Sequence, residues 1–168
     1  MIRISEAIAS EGAVVYNISA LFDIPWSISI EQTACALRFA QATAADYDGD
    51  PASMTLLCHH AGAATGVVVA LAGNDFEGGC LFPEKSALPN ALVLFEGPYD
   101  FVSEPRGEFD HTALKEEDPE LLEAINPYSH IGRNPDLRIR LIHGQDEDIS
   151  WWQVLPQVAI DFQETLAD

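Results

Sequence analysis

Seven residues, Leu57-Cys58-His59-His60-Ala61-Gly62-Ala63, constrain this chain more than any other stretch. Ahead of them, Ser53-Met54-Thr55-Leu56-Leu57 has the β-branched and apolar character of a buried strand. Behind them, Ala61 to Gly73 is a run of small and apolar residues that reads as a helix. A strand that passes into a helix with so little chain between them must turn sharply, and the turn lifts one side chain above the end of the sheet. The residue at that apex is His60.

The rest of the chain repeats the strand-helix alternation. Ile4 to Ala9 reads as a short helix closed near Glu11-Gly12 by a glycine cap. Ala13 to Ile18 is a nearly continuous apolar run, expected as a strand buried on both faces. Ile30 to Tyr47 places Ala34, Leu37, Phe39, Ala40 and Ala44 at helical spacing, and Asp48-Gly49-Asp50-Pro51 ends it. Asn74 to Asn90 is a loop, Ala91 to Phe95 a third buried strand, and Pro119 to Ile125 a short helix with Asp118 as its N-cap. Leu137 to Ile142 is a fourth strand, in which Arg138 and Arg140 mark a less buried face, and Trp151 to Leu166 a last helix. Such alternation implies one α/β domain over residues 1–168: a three-layer αβα sandwich on a mostly parallel sheet with right-handed crossovers. Functional sites of these sheets form at the carboxyl ends of the strands. That directs attention to His59 and His60, to Glu96 through Asp100, and to His143 through Asp148.

Composition narrows the function classes. A net charge of −19 disfavours nucleic acid and anionic membrane surfaces as partners, since both demand a basic face. With 48% hydrophobic residues over 168 positions the chain can bury a core. No segment is long and apolar enough to span a bilayer, and the start of the chain lacks the pattern of a signal peptide. Cys35, Cys58 and Cys80 are odd in number and show no metal-binding spacing, so buried free thiols in a reducing, cytoplasmic setting are expected.

Taken in order, several segments resemble the α/β-hydrolase superfamily, in particular its esterase/lipase branch. Ala45 through Pro51 is similar to the segment before the elbow strand, and Cys58-His59-His60-Ala61-Gly62 resembles G-H-S-A-G. Glu96-Gly97-Pro98-Tyr99-Asp100 resembles the end of the family's sixth strand, and Asn126-Pro127-Tyr128-Ser129-His130 the segment before its seventh. His143-Gly144-Gln145-Asp146-Glu147-Asp148-Ile149 resembles H-G-x-x-D-x-x-V, the carrier of the triad acid. The resemblance implies an incomplete α/β-hydrolase fold descended from a carboxylic-ester hydrolase. It puts His60 at the nucleophile position, Asp146 or Glu147 at the acid position, and His59, Ala61, Tyr99 and Asp100 around a small ester ligand. It also implies that the family's oxyanion motif and catalytic histidine would fall outside residues 1–168, which makes weak or no hydrolase activity the expectation.

Imidazole cannot form the ester-type acyl-enzyme of a serine. A hydrolase using His60 or a metal, and a non-catalytic ligand-binding or assembly module, are the alternatives. His59, His60, Asp100 and Asp146 could meet at the strand ends, but no helical ligand spacing supports a metal, and none is expected; nor is a cofactor. His111 and His130 are expected at the surface, His143 in a structural role, and the Trp151-Trp152 pair in the core. The family's strand order would leave the first strand here without its usual neighbour. Either Ala13 to Ile18 shifts to pair with Met54 to Cys58, or a second subunit covers the exposed sheet edge.

Overall fold

The computed structural model describes residues 2–19, 24–99, 118–144 and 156–167. Its elements run α1 (Ile2–Ser10), α2 (Trp26–Thr43), β1 (Thr55–His59), α3 (Ala61–Ala72), β2 (Ala91–Phe95), α4 (Pro119–Ile125), β3 (Arg138–Ile142) and α5 (Pro156–Ala167). Single 3-10 turns follow α2, α3 and α4. The three strands lie parallel in the order β1-β2-β3, with Leu56 opposite Leu92 and Leu92 opposite Ile139. The described residues thus form an open α/β sheet with five helices, matching part of an α/β-hydrolase-like fold.

Register explains which face is covered. Side chains alternate across a strand, so Leu56, Cys58, Leu92, Leu94, Ile139 and Leu141 share one face. The first four are buried, with α3 against them. Thr55, Leu57, Val93 and Arg140 share the other face and remain half-buried or exposed. α3 is apolar on every side and buried along nearly its whole length, from Ala63 to Ala72, as expected of a helix packed both on a sheet and under a second helix. That second helix is α2, which turns Ile30, Ala34 and Leu37 inward.

The amino end of the sheet is tied down heavily. Buried Arg38 on α2 donates to the carbonyl oxygens of Phe76 (2.7 Å), Lys85 (3.1 Å) and Gly73 (3.3 Å). These carbonyls belong to the segment that carries the chain from α3 back to the start of β2. One turn before Arg38, Cys35 forms a disulfide with Cys80 of the same segment, Cα to Cα 5.0 Å. Two of the three cysteines are therefore paired, and only Cys58 is free and buried. The expected free thiols at Cys35 and Cys80 are corrected, and with them goes the cysteine-based argument for a reducing compartment. No helix among the described residues is long and apolar enough to cross a membrane.

Other expectations are corrected as well. Residues 13–18 form no strand: Val14, Val15 and Ile18 are exposed, and the segment is held beside α2 by Tyr16. The Tyr16 hydroxyl is 2.9 Å from Thr43 Oγ1, and its ring meets Phe39 and Tyr47 edge-on. β composition alone does not make a strand where no described strand lies alongside to satisfy its backbone groups. The proposed shift of this run onto Met54–Cys58 does not occur. His130 is buried rather than superficial, with Nε2 donating to the Ala124 carbonyl at 2.8 Å.

Candidate functional site

β1 ends at His59 and α3 begins at Ala61, so the whole reversal falls on His60. Its backbone lies at φ 56°, ψ −125°, a conformation that L-residues rarely adopt. Two hydrogen bonds hold it there. The His60 amide donates to the Phe95 carbonyl at 2.9 Å, and its carbonyl accepts from Ala63 N–H at 2.8 Å. The imidazole is thereby raised above the carboxyl end of the sheet, half-buried.

The elbow packs through an exchange of sizes. In G-x-S-x-G the first position is glycine, whereas Cys58 fills it here. The space is found on the opposing helix, at Gly66, where an added Cβ would collide with Cys58 Sγ. Burial pushes the Cys58 thiol up to about 12, so it remains a protonated, inert packing group.

Three consecutive strand ends supply the polar groups. Beside His60, the exposed His59 ring lies with its centroid 5.8 Å away. Glu96, just past β2, brings Oε2 to 3.9 Å from His59 Nε2, an ion-pair rather than a hydrogen-bond distance. Glu96 also has positive φ (47°), and its amide donates to the Ile142 carbonyl, which pins it against the end of β3. His143 follows β3; its Nδ1 donates to the Gly144 carbonyl at 3.1 Å, and its buried Nε2 has no hydrogen-bond partner among the described residues. Partial desolvation, then the neighbouring His59, hold the His60 pKa below the ordinary histidine value of 6.5, while Glu96 pulls it upward.

Of the residues singled out from sequence, His59, His60 and Ala61 thus meet at one rim. Tyr99 is fully buried instead: its ring stacks on Phe162 of α5 at 5.0 Å and its hydroxyl accepts from Gly97 N–H at 3.3 Å. Burial first of all pushes that hydroxyl up to about 12. Asp100, His111, Asp146, Glu147 and the Trp151-Trp152 pair lie outside the described residues. Among the described residues, no group of three or more His, Cys, Asp and Glu side chains could hold a metal ion. Glu96 lay within a strand-end segment that the sequence marked, but no role was assigned to it there. The signal was its position directly after a buried strand, at the start of a Glu-Gly-Pro turn.

No protein-family model matches the chain, and no curated protein matches it by sequence. Solved structures do. A truncated carbohydrate esterase from gut microbiota superposes with a TM-score of 0.68 at 18% identity, covering 83% of this chain and 55% of its own. A bifunctional GH43-CE protein of Bacteroides eggerthii gives 0.64 at 22% identity, over 83% and 20%. A thermophilic esterase of Thermogutta terrifontis, with propionate bound, gives 0.61 at 15% identity, over 96% and 75%. The chain therefore spans about half the length of the first of these and a fifth of the second. Likeness at such low identity speaks for architecture alone: this chain carries, in part, the α/β fold of these esterases.

Proposed function

We propose that this chain is an esterase-related α/β protein that binds small carboxylic esters, or the acids derived from them, at the carboxyl end of its sheet, and that it has lost serine-type acyl transfer. The observation that carries the reading is the elbow itself: a sharply turned, positive-φ apex of the kind that presents a nucleophile, occupied by the imidazole of His60. The esterase fold of the neighbours, one of them with propionate bound, supports the ligand class. Degeneracy follows from chemistry, because a serine-type acyl-enzyme needs a hydroxyl at the apex.

Ligand-dependent thermal stability tests the reading. Butyrate or propionate at about a hundred times Kd stabilises a binding protein by about 2.7 kcal/mol, or about 5–10 °C for a chain of this size. Ala61→Trp, which fills the mouth beside His60, abolishes the shift. Absence of any shift in the unaltered protein, across short-chain acids and a non-hydrolysable ester analogue, rejects the proposal.

A further inference from the structure

We infer that His60, His59 and Glu96 together form a hydrolytic set of this chain's own, in which the His60 imidazole accepts an acyl group from activated esters, His59 takes up the proton and Glu96 balances the charge that His59 acquires. The inference rests on the ligand class proposed above and adds a reaction to it.

The argument is geometric. Covalent hydrolysis needs a nucleophile, a base within reach of it and a group that steadies the base. His60 is raised on the strained turn, with its backbone fixed at both sides by the Phe95 and Ala63 bonds. The ring centroid of His59 lies 5.8 Å from that of His60, which places the two imidazoles side by side at the same rim. Glu96 stands at the end of the neighbouring strand with Oε2 3.9 Å from His59 Nε2, placed by its own positive-φ turn and by the bond to Ile142. The absence of a side chain at Gly144 gives that carboxylate its space, since an added Cβ would come within 3.2 Å of Glu96 Oε1. All three groups come from the ends of β1 and β2, so the set needs nothing from the segments where the family's acid and histidine would lie. The depressed proton affinity of His60 keeps its ring neutral, and hence nucleophilic, near neutral pH.

The steps balance. The lone-pair nitrogen of His60 adds to the ester carbonyl carbon, and the proton on the other ring nitrogen passes to His59. The carbon–oxygen bond to the alcohol breaks, and the departing alkoxide collects that proton. A water molecule then adds to the N-acyl imidazole, giving its proton to His59. The carbon–nitrogen bond breaks, the acid leaves, and the proton returns to His60. The sum is ester plus water giving acid plus alcohol.

The experiment uses p-nitrophenyl acetate with the whole chain and three variants, His60→Gln, His59→Ala and Glu96→Gln, each checked for an unchanged melting temperature. Wild type is expected to release nitrophenolate at least about a hundredfold faster than His60→Gln, the lower end of what a positioned general base contributes. Rapid acid quench and mass spectrometry then find an acetyl adduct on His60. His59→Ala prolongs the lifetime of that adduct. Glu96→Gln, a positioning change, moves the pH profile of deacylation, an effect that a purely structural role would not have. A wild-type rate equal to that of His60→Gln, or to free imidazole at the same concentration, overturns the inference. Acid-dependent thermal stabilisation without turnover overturns it while leaving the binding proposal intact; absence of both removes the two together.

Discussion

At position 60 the proton equilibrium of one ring decides what the site can do. Its folded-state pKa is depressed, first by desolvation and then by His59, so protonation favours the unfolded chain. The sign follows: the contribution to stability is present above 6.5, the ordinary value, and is lost as pH falls through the lower folded value. Titration of the histidine ring protons by NMR is expected to give His60 a midpoint below 6.5, with denaturant stability declining over the same window. Position 58 offers a second test at this scale. Gly66→Ala should cost about 1–3 kcal/mol through overpacking against Cys58. Cys58→Gly should recover most of that loss, a coupling that a double-mutant cycle in urea measures. The apex was legible because a strand signal and a small-residue helix signal converge on His60. The role of Glu96 was not, because it depends on register between strands separated by the whole of α3.

Among the elements, local chemistry was readable and long-range pairing was not. Asp118 does cap α4, accepting from Leu121 N–H at 2.9 Å, and Pro119 opens the helix; both effects act within one turn and leave a sequence signature. β2 occupies Ala91–Phe95, as its apolar composition indicated. The run at 13–18 carries the same composition and forms no strand, since a ladder depends on a partner that the run does not encode. The Cys35–Cys80 bond was equally unreadable, because the 45-residue separation between them brings no local pattern. Closing a loop of that length is worth about 4 kcal/mol in the chain-entropy estimate. Thiol titration of the denatured, unreduced protein should therefore find one free cysteine of the three, and reduction should lower the melting temperature. Arg38→Met should cost about 2–4 kcal/mol in denaturant unfolding, since charge-assisted bonds are among the stronger ones and the Gly73, Phe76 and Lys85 carbonyls lose their donor.

For the whole molecule, the sheet and its charge pull in opposite directions. Among the described residues, β1 pairs on one side only, and its five positions, Thr55–His59, contain no lysine, proline or carboxylate to deter another strand. Against that stands a net charge of −19 per copy, which repels a second molecule. We propose self-association through this edge, strengthening as salt screens the repulsion. Sedimentation should show a rising dimer fraction between low and high ionic strength. A mass that stays monomeric throughout would exclude the edge as a meeting place.

The Arg38 and Cys35–Cys80 ties both grip the amino end of the sheet, whereas His59, His60 and Glu96 stand at the carboxyl end. Foundation and workbench are thus separate parts of the same small scaffold. Randomising the rim around position 60 should leave most library members folded, which makes the chain a host for directed evolution of new pockets.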